Sequence, residues 1–209
     1  MARRTEKERR SEQYYKAAKS QGYRSRSAFK LKQMVKANKL LRGVDRVVEL
    51  CCTPGGWTQV LRELDSTLEI VAVDLNPMPP IQGVKFLQGD ILDEKVIDSI
   101  RALTGGSADL VLSDCSPNVS GQWELDVARQ LALVERTLSV ALEILSPDGK
   151  ALAKVFQGPG FEDLLRETRE RFESVKLIKP PASRRKSAEI YLLAIRPKGF
   201  SPNVGADNV

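Results

Sequence analysis

Two acids and a glycine pair stand where an α/β protein would hold a ligand. Asp74 closes the apolar run Leu68-Glu-Ile-Val-Ala-Val-Asp74, and Asp90 follows Val84-Lys-Phe-Leu-Gln-Gly. The turn Pro54-Gly55-Gly56 comes shortly after Arg46-Val-Val-Glu-Leu-Cys51. In open α/β sheets ligands bind beyond the carboxyl ends of the strands. Gly55 and Gly56 let the backbone pass close to a ligand without a Cβ clash. Asp74 suits the two hydroxyls of a ribose, and Asp90 the amino group of an adenine. The loop lacks G-x-G-x-x-G, which argues against a pyrophosphate cradle. A glycine-poor loop with successive acids suits a nucleoside carrying a cationic sulfonium and an amino group. The chain has no histidine. That removes Ser-His-Asp hydrolysis, Cys-His proteolysis and His-ligated zinc chemistry. Proton transfer then falls to Lys, Asp, Glu, Tyr or Cys.

The elements that position these residues alternate along the chain. Ser25 to Leu41 carries apolar residues at roughly helical spacing and reads as an amphipathic helix bearing Arg24, Arg26, Lys30, Lys32, Lys36 and Lys39 on or beside it. Strands are expected at 46–51, 68–74, 84–88, 108–113, 150–156, 175–178 and 190–195. Helices are expected at 57–64, near 94–103, at 125–145 and at 161–172. Ser146-Pro-Asp-Gly149 is expected to end the long helix. Strands separated by helices imply a parallel sheet with right-handed crossovers. The last two strands have no room for a helix between them, so the final one is expected to run antiparallel. The expected fold is a seven-stranded, mostly parallel sheet with helices on both faces.

The 209 residues suit one domain. No apolar run approaches the ~20 residues of a membrane-spanning helix, and the charged N-terminus does not resemble a signal peptide. A soluble cytoplasmic monomer is the expectation. The net charge of +6 is unevenly distributed. Residues 1–43 hold 14 Lys and Arg against 3 Asp and Glu, whereas the remainder holds 19 against 24. A basic N-terminal segment on a mildly acidic body suits a polyanion, or else forms a solvated tail. Residues 1 to about 20 are expected to be disordered or helical only on a partner. Lys176, Lys179, Arg184, Arg185 and Lys186 form a second basic cluster. The domain reading is a basic extension over 1–22, one domain over 23–198 and a flexible tail over 199–209. Cys51, Cys52 and Cys115 are a poor disulfide framework. They are read as small packing residues in a reducing setting, and no metal site is expected.

Longer motifs bear a resemblance to a known family. They are Tyr-Arg-Ser-Arg-Ser-Ala-Phe-Lys30-Leu, Pro-Gly-Gly-Trp57-Thr-Gln, Phe-Leu-Gln-Gly-Asp90, Leu-Ser-Asp114-Cys-Ser-Pro-Asn-Val-Ser-Gly, Ala-Lys154-Val-Phe-Gln-Gly and Ser-Ala-Glu189-Ile-Tyr. Together they resemble the FtsJ/RrmJ family of RNA 2′-O-methyltransferases, from about Tyr23 to Leu193. The resemblance implies a Rossmann-like class I methyltransferase using S-adenosylmethionine. It implies a catalytic tetrad of Lys30, Asp114, Lys154 and Glu189, with Lys154 accepting the proton. It implies cofactor contacts from Gly55, Trp57, Asp74, Asp90 and Asp114. It points to a uridine of large-subunit ribosomal RNA as acceptor, with the large subunit as partner. Family members usually carry Asp-Leu-Gly-Ala before Pro-Gly-Gly. Here Glu49-Leu-Cys51-Cys52-Thr53 stands there, and cysteine in place of glycine narrows the space beside the cofactor.

Methyl transfer from a sulfonium needs alignment and a nucleophile, and a ribose hydroxyl benefits from a base. Lysine is normally protonated. A base role for Lys154 needs desolvation or a neighbouring cation such as Lys30, while Asp114 and Glu189 oppose it. Trp123 or Tyr191 is a candidate to stack on a base, with core packing the plainer role for Tyr191. Competing readings are the same chemistry on a tRNA anticodon loop, a non-catalytic RNA-binding or ribosome-assembly factor, and a nicotinamide-dependent oxidoreductase.

Overall fold

The computed structural model describes residues 6–184 and 187–199, with side chains described from residue 13 onward. Arg185 and Lys186 of the second basic cluster, and the tail beyond residue 199, lie outside the described residues. The elements are α1 (Glu6–Ser20), α2 (Ala28–Asn38), β1 (Arg46–Leu50), α3 (Gly56–Leu64), β2 (Glu69–Asp74), β3 (Val84–Gln88), α4 (Glu94–Thr104), β4 (Ala108–Ser113), α5 (Trp123–Ile144), β5 (Leu145–Phe156), α6 (Phe161–Arg171), β6 (Phe172–Ile178) and β7 (Glu189–Pro197).

The seven strands form one sheet in the order β3-β2-β1-β4-β5-β7-β6. The strands from β1 to β5 pair in parallel, and β7 runs antiparallel between β5 and β6. Alternation along each strand feeds two cores. Val48, Leu50, Val111, Ala151, Ala153, Val155, Leu192 and Ala194 meet α4, α5 and α6 on one face. Val47, Leu110, Leu112, Leu152, Tyr191 and Leu193 meet α2 and α3 on the other. Helix α2 buries Ala28, Leu31 and Met34. This spacing lays one stripe on the sheet and leaves Lys30 at its flank. Among the described residues no helix is long and apolar enough to cross a membrane.

Three expectations need correction. The N-terminal segment is helical within the chain itself. Helix α1 docks on α2 through the Tyr14 and Phe29 rings, 5.5 Å apart, and through buried Ala18. The long helix ends at Ile144, just before Ser146-Pro-Asp-Gly149 as expected, but the strand expected at 150–156 already includes that segment. Strand β5 starts at Leu145 and takes up the Pro147 region where its pairing with β4 shifts register, a place where a strand tolerates proline. The cysteines are not merely packing residues. Cys51 and Cys115 form a disulfide with their Cα atoms 5.1 Å apart, and Cys52 is the buried free thiol. Strands β1 and β4 are neighbours with Leu50 opposite Ser113. The residues just past their ends therefore meet, despite a sequence separation of 64. The inference of a reducing setting from cysteine usage loses its basis.

Closing a loop of that length is worth about 2–4 kcal/mol. Reductant should lower the melting temperature of the folded chain by about 5–15 °C, as read by scanning calorimetry with free-thiol titration. Unchanged melting with three titratable thiols would show that the bond contributes nothing to stability.

Candidate active site

Strands β1 to β5 all end at one edge of the sheet, and antiparallel β7 begins there. That edge collects the charged residues singled out in the sequence. Lys30 arrives from α2 and donates from Nζ to Glu189 Oε1 at 2.6 Å. Glu189 opens β7 opposite Phe156, and Tyr191 pairs with Lys154. Lys154 Nζ donates to the main-chain oxygen of Asp114 at 2.8 Å and stands 3.5 Å from Asp114 Oδ1. Tyr191 donates its hydroxyl to Asp114 Oδ1 at 2.9 Å. The four residues of the tetrad therefore form two ion pairs around the Tyr191 side chain. The ammonium of Lys30 also lies 5.9 Å from the centre of the Tyr191 ring.

Burial sets the electrostatics of this cluster. It opposes ionisation of Glu189, but the charge and hydrogen bond of Lys30, the charge of Lys154 and the Ser183 hydroxyl together hold that carboxyl below its usual range. Ser183 donates to the same Glu189 oxygen at 3.1 Å. The Tyr191 phenol is pushed well above its usual range, first by burial and then by the charges of Asp114 and Glu189. It therefore stays a hydrogen-bond donor. Lys154 is only 7% exposed, a depth at which its charge demands partners.

The expected cofactor residues lie along the same edge. Asp74 ends β2, where its carboxylate accepts from the Thr53 amide at 2.9 Å and the Asn76 amide at 2.8 Å. It thereby ties the loop after β1 to the end of β2 and keeps acceptor capacity for a further donor. Asp90 follows β3 and accepts from the Leu92 amide at 2.9 Å. Gly55 and Gly56 are crowded by the protein itself. A Cβ at Gly55 would meet Met78 Sδ at 2.8 Å and Arg24 Nη1 at 3.0 Å, and one at Gly56 would meet Ser25 Oγ at 2.1 Å. Trp57 buries its ring against Tyr191 and donates its indole N–H to Ser27. That leaves only its main chain, in the first turn of α3, for a ligand.

Two positioning side chains escaped the sequence reading. Arg24 donates to the carbonyls of Pro54, Pro79 and Pro80, clamping the glycine turn to the segment after β2. From the sequence alone it reads as part of the basic surface beside α2. Gln130 is fully buried on α5 and donates from Nε2 to the carbonyls of Lys154, at 2.8 Å, and Cys115, at 3.2 Å. No spacing rule links either residue to its partners. A glutamine within an apolar helix stripe was the one available signal.

Glu49 is buried in the middle of the edge, in β1, and accepts from the Thr58 hydroxyl at 2.6 Å. Burial, aided by the charges of Asp114 and Asp74 and opposed by the Thr58 bond, pushes its carboxyl up to about 8. The unfolded chain loses this proton near pH ~4.3. The stability that Glu49 contributes is therefore fully present below that value and is lost as pH rises through about 8. The variant Glu49→Gln keeps an acceptor for Thr58 without the titration. It should melt above the parent at pH 8.5 and converge with it below pH 5. Melting curves that stay parallel across that pH series would contradict a neutral Glu49.

Residues 23–197 match the family described as FtsJ-like methyltransferase. The ribosomal RNA large subunit methyltransferase E of Methanothrix thermoacetophila is 47% identical over 180 residues, which cover 86% of this chain and 70% of that protein. The protein of the same name from Archaeoglobus fulgidus is 42% identical over 187 residues, covering 90% of this chain and 96% of that one. Among solved structures, a ribosomal RNA methyltransferase from Plasmodium falciparum has a TM-score of 0.75 at 24% identity, covering 84% of this chain and 98% of that one. At that identity the likeness is one of fold, and it agrees with the sheet order and the antiparallel last pair described above. By the span of the family match and the identity to these relatives, the chain belongs to the FtsJ-like methyltransferases.

Proposed function

We propose that the protein transfers a methyl group from S-adenosylmethionine to a ribose 2′-hydroxyl of large-subunit ribosomal RNA, with a uridine as acceptor. The observation that carries this reading is the meeting of Lys30, Asp114, Lys154 and Glu189, from four separate elements, at the edge where such sheets hold ligands. The names of the relatives supply the RNA class. The cytoplasmic setting now rests on a ribosomal acceptor and not on the cysteines.

The chemistry of the donor set fits the cofactor. Asp74 ends β2, and Asp90 and Asp114 follow β3 and β4, in a sheet whose order there is β3-β2-β1-β4. Three carboxylates in a row suit an amino group, two ribose hydroxyls and an ammonium. They would repel a pyrophosphate, which disfavours the nicotinamide reading. When bound, the cofactor supplies a methyl group already activated on a cationic sulfur.

The chain's own residues then align the acceptor and move one proton. Lys154 would accept the hydroxyl proton at Nζ as the ribose oxygen takes the methyl group, whose bond to sulfur would break with its electron pair left on the sulfur. To do so it must enter the step as the free amine, having released a proton to solvent. Asp114 holds Nζ in place through its main-chain oxygen, and Gln130 fixes the strand end that carries Lys154. Glu189 neutralises Lys30, whose ammonium is then placed to orient the ribose or the adjoining phosphate. Exposed Lys16 and Lys19 on α1, Lys36 on α2 and Lys39 at its end supply positive surface for the RNA backbone.

The first test is transfer of labelled methyl to large-subunit particles, small-subunit particles and bulk tRNA, followed by nuclease mapping. Ribose methylation of large-subunit RNA is the expected result. Label in tRNA would move the target, and no transfer despite bound cofactor would favour an assembly factor. Lys154→Ala should slow transfer roughly 10²–10⁴-fold while binding cofactor and RNA almost normally. Near-normal turnover in that variant would remove Lys154 as the base.

A further inference from the structure

Beyond the tetrad, the same edge carries an aromatic pair, in which Phe156 packs against the core and Trp123 stands outside the core clusters. Trp123 opens α5 and is 49% exposed, whereas the chain's other tryptophan, Trp57, is 2% exposed. A large apolar ring left in water at the start of a helix costs hydration free energy and returns no core packing. The ring is nevertheless not loose. It stacks on Phe156, with centroids 6.1 Å apart and planes 21° from parallel. The turn that delivers it is pinned by Asp126, whose carboxylate accepts from the Ser120 amide at 2.7 Å, the Ser120 hydroxyl at 2.8 Å and the Gly121 amide at 3.1 Å.

The location of the pair ties it to the reacting centre. Phe156 is the last residue of β5, two positions beyond Lys154, or about 6.6 Å of strand. It is also the register partner of Glu189. Trp123 ends the loop that begins at Asp114, so both rings hang from the segments that carry the tetrad. Exposed Val119 lies in that loop and half-exposed Leu125 in the next turn. The charges in the first turn of α5 are Glu124 and Asp126, and Arg129 follows one turn on. The exposed ring itself offers a flat apolar face of the kind a base can cover.

We infer that Trp123, backed by Phe156, is a stacking platform for a nucleobase of the acceptor strand, holding an unstacked nucleotide at or beside the one whose ribose meets Lys154. The inference rests on the RNA-methylating reading above and adds the contact that selects single-stranded or splayed-out nucleotides. Aromatic side chains are how proteins hold such bases, and each stack is sequence-tolerant. The phosphate contacts of α1 and α2 would set the orientation of the strand, and the platform its depth.

Two measurements test this, and only one of them needs methyl transfer. With Trp57 buried, quenching of the intrinsic fluorescence of the full chain by single-stranded oligouridylate reports on Trp123. Quenching in the parent, and its absence in Trp123→Phe, is the expected result. In methyl transfer to the large-subunit acceptor, Trp123→Ala should raise KM for RNA about tenfold or more, with kcat changed much less. Trp123→Phe keeps a π face and should stay within a few fold of the parent, which also controls for misfolding of the alanine variant. A parent that binds RNA without quenching, or a folded alanine variant with unchanged KM, would overturn the platform. If the parent methylates no RNA, the functional reading fails, and the fluorescence experiment alone still decides whether Trp123 meets a base.

Discussion

Strand direction is the constraint on which the site depends. Five parallel strands end at one edge, so whatever follows each of them is delivered to the same place. Glu189 reaches that place only because β7 is reversed and starts where β5 stops. The antiparallel ladder then fixes its partners residue by residue, with Phe156 opposite Glu189 and Lys154 opposite Tyr191. A slip of one residue would put Ile190 opposite Lys154 and turn Glu189 to the α5 face. The apolar alternation of β7 forbids that slip, since Tyr191 and Leu193 fill one core while Ile190 and Leu192 fill the other. The packing of an ordinary strand thus sets the geometry of the ion pairs.

Those ion pairs in turn explain how so many charges tolerate depth. Lys30 and Lys154 each have an acid within reach, and Tyr191 supplies a neutral donor to Asp114 between them. Glu49 has no cation beside it among the described residues and meets burial in the other way, by keeping its proton. Gln130 shows the residual cost. Its Nε2 serves two carbonyls while its Oε1 finds no partner among the described residues. Flipping the amide would face oxygen to oxygen, so the observed orientation is the better one. Holding the ends of β4 and β5 together is the return for that unsatisfied acceptor.

Most of the elements were legible in the sequence because their signals are local. Ala108–Ser113 and Val84–Gln88 have the expected bounds, since apolar runs bounded by turn residues and polar ends leave little choice. What needed tertiary structure was missed. Spacing cannot bring Lys30 to Glu189 across 159 residues, and only the family resemblance joined them. The glycine pair leads one to expect a ligand close to Gly55 and Gly56, and the fold also sets protein neighbours against them. The neighbours are Arg24, Met78 and Ser25, which no local pattern reveals. Trp57 was read by its motif as a cofactor contact, yet its ring fills the core beneath Tyr191.

The same lesson bears on the departure at residues 49–53. Cys51 has a φ of 57°, in the left-handed region that glycine enters freely. A side chain there costs roughly 1–2 kcal/mol, so cysteine at this position is a poor replacement for glycine when considered alone. It makes sense only with Cys115, because the disulfide offsets that cost and joins the ends of β1 and β4. The bond lies one residue from Asp114 and two from Glu49. It therefore fixes the width of the edge where a cofactor's amino-acid end and the proton of Lys154 would come together. The residue expected to narrow the space beside a cofactor is also the one that ties the ends of β1 and β4 together.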